Sequence, residues 1–139
     1  MRFCGSILSM LWENWQAYKR AQQSIVLAAQ AVAHIPVTVR YVDVGEARRG
    51  TVLLMHGIPT WGYLYAGVVP MLADAGYRVI VPDFLGHGWS DRRDRFDRSF
   101  QDQARMICVL LDSLGLSQVD VVGHDTGGAV ALILAIEHA

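Results

Sequence analysis

The sequence has little that would tie it to nucleic acid, metal or membrane. Its 12 Lys and Arg stand against 13 Asp and Glu, leaving a net charge of −1. No basic surface is therefore expected to neutralise phosphates, and nucleic acid is not an expected partner. The chain has only two cysteines, Cys4 and Cys108. They are too far apart for a metal-ligand or redox spacing, so free thiols in a cytoplasmic protein are the expectation, with no metal and no cofactor. No apolar stretch is long enough to span a bilayer, because Lys19 and Arg20 interrupt the N-terminal one. MRFCGSILSMLW is followed by no small-residue cleavage site. Repeats and low-complexity tracts are lacking too.

What is present suits one domain with a real core: 139 residues, 53% of them hydrophobic. Leu8, Leu11, Trp15, Tyr18 and Ile25 fall three, four or seven apart, a helical stripe. Residues 6 to about 32 are read as one or two amphipathic helices, and residues 1–34 as an N-terminal helical segment. Its apolar face is expected to pack on the body of the protein, in preference to a peripheral membrane contact through Trp12 and Trp15.

From residue 35 the pattern alternates strand and helix. VTVRYVDVG (37–45) reads as a half-exposed strand, TVLLMHG (51–57) and YRVIVPD (77–83) as buried strands, and VDVVG (119–123) as the last strand, buried as well. Residues 62–75 read as a helix closed by Gly76, and 99–114 as a helix capped by Ser99 and stopped by Gly115. Between them, 85–100 is a solvated loop of balanced charge. This order predicts an open, mostly parallel sheet with helices on both faces.

One turn demands a chemical explanation. VVGHDTGGAV (121–130) sets Asp125 in a glycine-flanked turn between a strand and the final helix. An aspartate there could be a helix N-cap. It could sit in a dinucleotide loop, but its charge would repel a pyrophosphate. It could also be the nucleophile of a sharp strand-to-helix elbow, where Gly123 and Gly127 let the two backbones touch and Gly128 eases the same crowding. The elbow lifts its central side chain above the sheet edge, toward free helix amides. HGIPTWGYLY (56–65) follows another strand end. Its Ile58 amide is expected to pair with that of Thr126 as an oxyanion hole, with Pro59 stiffening the loop.

HGIPTW, DFLGHGWSD (83–91) and GHDTGG (123–128) together resemble the α/β-hydrolase superfamily. They are most similar to its aspartate-nucleophile branch, the epoxide hydrolases and haloalkane dehalogenases. The resemblance covers residues 36–139, so 35–139 is read as the N-terminal part of that domain. It implies Asp125 as nucleophile, with His56, Gly57, Pro59, Gly123, His124, Gly127 and Gly128 shaping the loops, and a small apolar substrate. An aspartate makes sense for attack on saturated carbon: it forms an ester that activated water can cleave, whereas serine would end as an inert ether.

Dehalogenases typically have Trp after the nucleophile and Asn or Glu after His-Gly; here those places hold Thr126 and Ile58. The resemblance therefore favours an epoxide hydrolase over a dehalogenase, although many epoxide hydrolases also carry that Trp. The general base, its acidic partner and the lid that sets specificity are expected beyond residue 139. His34, His87 and His138 are not placed to serve Asp125. The chain reads as a fragment that cannot turn over, with an unpartnered sheet edge and apolar last helix that invite self-association. A truncated, non-catalytic interaction module, or an esterase relative with an altered nucleophile, would share the same motifs.

Overall fold

The computed structural model describes residues 14–28, 35–94 and 97–137. In chain order the elements are α1 (Trp15–Ala21), β1 (Gln23–Leu27), β2 (Val37–Val44) and β3 (Thr51–Met55). There follow a 3-10 turn (Gly62–Tyr65), α2 (Val69–Asp74), β4 (Arg78–Pro82), α3 (Phe100–Ser113), β5 (Asp120–Gly123) and α4 (Thr126–Glu137).

The strand side chains alternate between two cores. Val37, Val39, Tyr41, Leu53, Met55 and Ile80 project to one face, where Met106, Ile107 and Leu110 of α3 and Val130 and Leu134 of α4 cover them. Val42, Val52, Leu54, Val79 and Val81 project to the other, beneath Tyr18 of α1, Tyr65 of the 3-10 turn and Val69 of α2. Each fully buried aliphatic side chain contributes about 1.5–3 kcal/mol relative to exposure. Helices therefore cover both faces. Ser99 accepts from the Asp102 amide at 3.2 Å and so starts α3 at the expected place.

The sheet order is β1-β2-β4-β3-β5. β3 pairs in parallel with β4 and with β5, whereas β2 is antiparallel to both β1 and β4. The sheet is thus mixed, its parallel part confined to the three strands that carry the loops of interest.

Three expectations need correction. The segment expected to be helical over 6–32 has a helix only at Trp15–Ala21 among its described residues. Gln23–Leu27 is a strand, with Ile25 opposite Val39. Burial alternates only over its last three residues, and it is the pairing with β2 that overrides the helical spacing. The sheet begins before residue 35, and Cys4, Leu8, Leu11, Trp12 and His34 lie outside the described residues. Second, the helix expected over 62–75 is split into the 3-10 turn and α2, the latter opening with Pro70 in its first turn, where proline is tolerated. Third, β5 is not buried: among the described residues it pairs with β3 alone, and Val121 and Val122 are exposed. Of the α4 residues expected to lack partners, Val130 and Leu134 are buried in the core with α3 residues, while Leu132 and Ile136 are exposed.

α1 is tied firmly to this framework. The Arg40 guanidinium of β2 donates to the Lys19 and Gln22 carbonyls at 3.3 and 3.1 Å, satisfying groups at its C-terminal end. Gln22 Nε2 reaches the buried Asp83 carboxylate at 2.8 Å.

Candidate active site

The parallel register sets Met55 opposite Gly123, so the loops after β3 and β5 emerge side by side. They nearly touch. A Cβ on Gly123 would lie 2.3 Å from the Gly127 carbonyl oxygen, and one on Gly127 would lie 2.3 Å from that of Met55. Only glycine fits either place, because backbone atoms cannot yield. A Cβ on Gly128 would find its nearest neighbour at 3.7 Å, an ordinary contact, so the crowding expected there is absent.

Asp125 sits at the apex with φ 53°, among the described residues the one non-glycine with positive φ. Such a conformation costs about 1 kcal/mol or more and is held only where the surroundings dictate it. The capping alternative fails on geometry. An N-cap is extended and accepts from the second or third helical amide. Here the Gly127 and Gly128 amides donate to the His124 and Asp125 carbonyls. The Asp125 carboxylate instead accepts the Ile58 amide from the other loop at 2.8 Å, and the Thr126 amide as well. These amides, the Ile58 one first, hold its carboxyl below the usual aspartate range, and the residue is exposed. The result is an ionised carboxylate, oriented by two amides and open to an incoming molecule.

The loop that carries the Ile58 amide is fixed from below by His56. Its ring is fully buried, with Nε2 accepting the Phe84 amide at 3.0 Å and Nδ1 lying 3.1 Å from the Gly57 carbonyl. An acceptor at Nε2 leaves the proton on Nδ1, so that Nδ1 donates to Gly57. Burial pushes its pKa down to about 4, keeping the ring neutral. The Gly57 carbonyl also accepts from the Thr60 amide and hydroxyl, at 2.9 and 2.8 Å. The Ile58–Pro59 peptide bond is cis. The expected loop-holding role of His124 falls to its main chain, whose amide donates to the Met55 carbonyl at 3.0 Å. His87 turns its ring toward that of His56, with centroids 5.4 Å apart. His138 lies outside the described residues.

Sequence reasoning gave no role to Asp83, which the structure makes the organiser of the third loop. This fully buried carboxylate accepts from the Gly62 amide, the Trp89 amide and Gln22 at 2.8–2.9 Å. Burial raises its pKa, and those donors together with Arg40 pull it back. Gly88 is the legible signal: with φ +50°, a Cβ there would lie 2.1 Å from Asp83 Oδ2. A carboxylate ending a buried strand and followed by glycines was the pattern to look for.

Comparisons with known proteins agree with this geometry. The family model described as alpha/beta hydrolase fold matches residues 50–139. A haloalkane dehalogenase of Mycobacterium marinum is 33% identical over 128 residues, 91% of this chain and 42% of that protein. One from Psychrobacter cryohalolentis is 40% identical over 101 residues, 72% of this chain and 33% of that protein. An epoxide hydrolase structure from Vigna radiata superposes with a TM-score of 0.69 and 26% identity, covering 85% of this chain and 35% of that one. The chain thus spans about a third to two fifths of the length of these relatives. Two glycine-bound loops meeting over an aspartate, and a family match over most of the chain, agree: this chain belongs to the alpha/beta hydrolase fold family.

Proposed function

We propose that Asp125 is the nucleophile of a hydrolase that works through an alkyl-enzyme ester, acting on an epoxide. The observation that carries this reading is the exposed Asp125 carboxylate, at φ 53° and held by the Ile58 and Thr126 amides. One carboxylate oxygen attacks a ring carbon, the C–O bond opens, and the alkoxide takes a proton from water or an acid. The ester carbonyl then lies against the same two amides. When water attacks it, they hold the charge that develops; losing one such donor typically costs about 10²–10³ in rate. Ile58 offers no polar side-chain atom for a departing halide, which favours the epoxide. The sequence similarity to haloalkane dehalogenases favours a second reading, in which a carbon–halogen bond breaks and halide leaves.

Hydrolysis of the ester needs a base. Among the described histidines, His56 is buried in its own hydrogen bonds, the His87 ring packs beside it, and His124 lies in the elbow itself, one residue before Asp125, rather than across from it where an attacking water would need a base. The 139-residue chain is therefore expected to be alkylated once and not to turn over. Mass spectrometry after incubation with styrene oxide or 1-iodobutane checks this. The chain should gain one alkyl group on Asp125, and Asp125→Asn none; the faster reagent selects the leaving group. Absence of label at Asp125 when the free thiols are blocked beforehand, undiminished labelling of Asp125→Asn, or steady diol release would overturn the reading.

We also infer self-association of the isolated chain. β5 has an open edge and Leu132 and Ile136 are 66% and 82% exposed beside it. Sedimentation velocity should show mass rising with concentration; a single monomer boundary throughout would contradict it.

A further inference from the structure

A concave site begins next to the Ile58 loop and does not contain the reactive carboxylate. This open cleft of about 570 Å³ is walled by Trp15 of α1, Trp61 and Tyr63 after β3, and His87, Trp89 and Arg92 after β4. The volume falls within the roughly 300–1,000 Å³ usual for small-molecule sites. Its lining starts at Pro59, one residue from the Ile58 amide, and includes neither Asp125 nor Thr126.

The aromatic walls stand in two orientations. Trp15 and Trp89 are nearly parallel, with centroids 6.4 Å apart and planes at 17°, while Trp61 is at 87° to Trp89 at 6.3 Å. A flat ring entering the cleft can meet both faces and edges, the two arrangements aromatic groups prefer. The charge is of one sign. No acidic residue lines the cleft. The Arg92 guanidinium donates to the Gly88 carbonyl and pairs with no carboxylate among the described residues. Lys19 holds its ammonium 3.4 Å from the Trp89 ring centroid.

We propose that this cleft binds an aromatic carboxylate, its ring against Trp15, Trp61 and Trp89 and its anionic end on Arg92. α1, which lies outside the family match, thereby supplies one wall of a ligand site.

Saturation-transfer NMR on the 139-residue chain tests this with three ligands of one shape: 3-phenylpropionate, 3-phenylpropionamide and 2-phenylethylammonium. The carboxylate should bind about fivefold more tightly than the amide, as a half-exposed ion pair allows, and the ammonium most weakly. Arg92→Gln should erase the preference for the carboxylate, and Trp15→Ala should weaken all three; both side chains are exposed or nearly so, and the ligand series itself needs no variant. Absence of saturable binding, equal affinity for the acid and the amide, or preference for the ammonium would overturn the proposal. Loss of binding in Asp125→Asn would move the ligand to the reactive carboxylate and overturn it equally.

Discussion

Gly57→Ala is expected to slow alkylation of Asp125 by about 10²-fold, the typical cost of misplacing a reacting group by about 1 Å. The added Cβ would lie 2.5 Å from the Asp125 Cβ, 2.6 Å from its Oδ2 and 2.8 Å from the His124 carbonyl oxygen. Carbon cannot approach an oxygen that closely, so the carboxylate must swing off the Ile58 amide, now 2.8 Å away. Because the His124 contact is backbone, rotating the side chain alone does not relieve the clash. The loss should therefore appear in the labelling rate, with the fold retained by circular dichroism. Gly67→Ala is the control: a Cβ there meets nothing within 4 Å. Equal labelling of Gly57→Ala and wild type would mean that the Ile58 amide does not set the carboxylate's position. The reading of Asp125 as an amide-oriented nucleophile would then lose its support.

Gly57, Gly123 and Gly127 also show how much could be read from the sequence. A glycine two positions either side of a central residue, between an apolar strand and an apolar helix, has few physical causes. The elbow was legible because each cause leaves a local trace. The pairing of the Ile58 and Asp125 loops was legible for another reason: both follow strands that pattern as parallel neighbours. β1 was not legible. Five residues with two inward positions cannot declare themselves a strand, and only β2 across the ladder makes QSIVL one. The exposure of β5 was hidden similarly, since Val121 and Val122 match a buried strand in composition and differ only in what lies beside them. Asp83 was missed because its value is nonlocal. Gln22, Gly62 and Trp89 bring its donors from three separate segments. No spacing rule joins residue 22 to residue 83.

Acid should weaken the fold through His56, by about 2–3 kcal/mol between pH 7 and pH 4.5. In the unfolded chain this histidine takes up a proton near its ordinary 6.5; in the folded chain, burial delays that to about 4. Between those values the unfolded state binds more protons, so falling pH favours it. The contribution is full above about pH 6.5 and is lost as pH drops toward 4. Asp83 works the other way, because burial raises its folded pKa, and offsets part of the loss. Asp125, held low by the Ile58 and Thr126 amides, gives up its share only below the ordinary aspartate range. Urea midpoints at pH 7 and 4.5, taken at one protein concentration, should converge in His56→Gln and diverge in wild type. A parallel fall in both would assign the acid sensitivity elsewhere. The same protonation removes the Nε2 acceptor of the Phe84 amide, and with it the anchor beneath the Ile58 loop. Alkylation of Asp125 should then fade in acid before the carboxylate itself, held below the ordinary aspartate range, is neutralised.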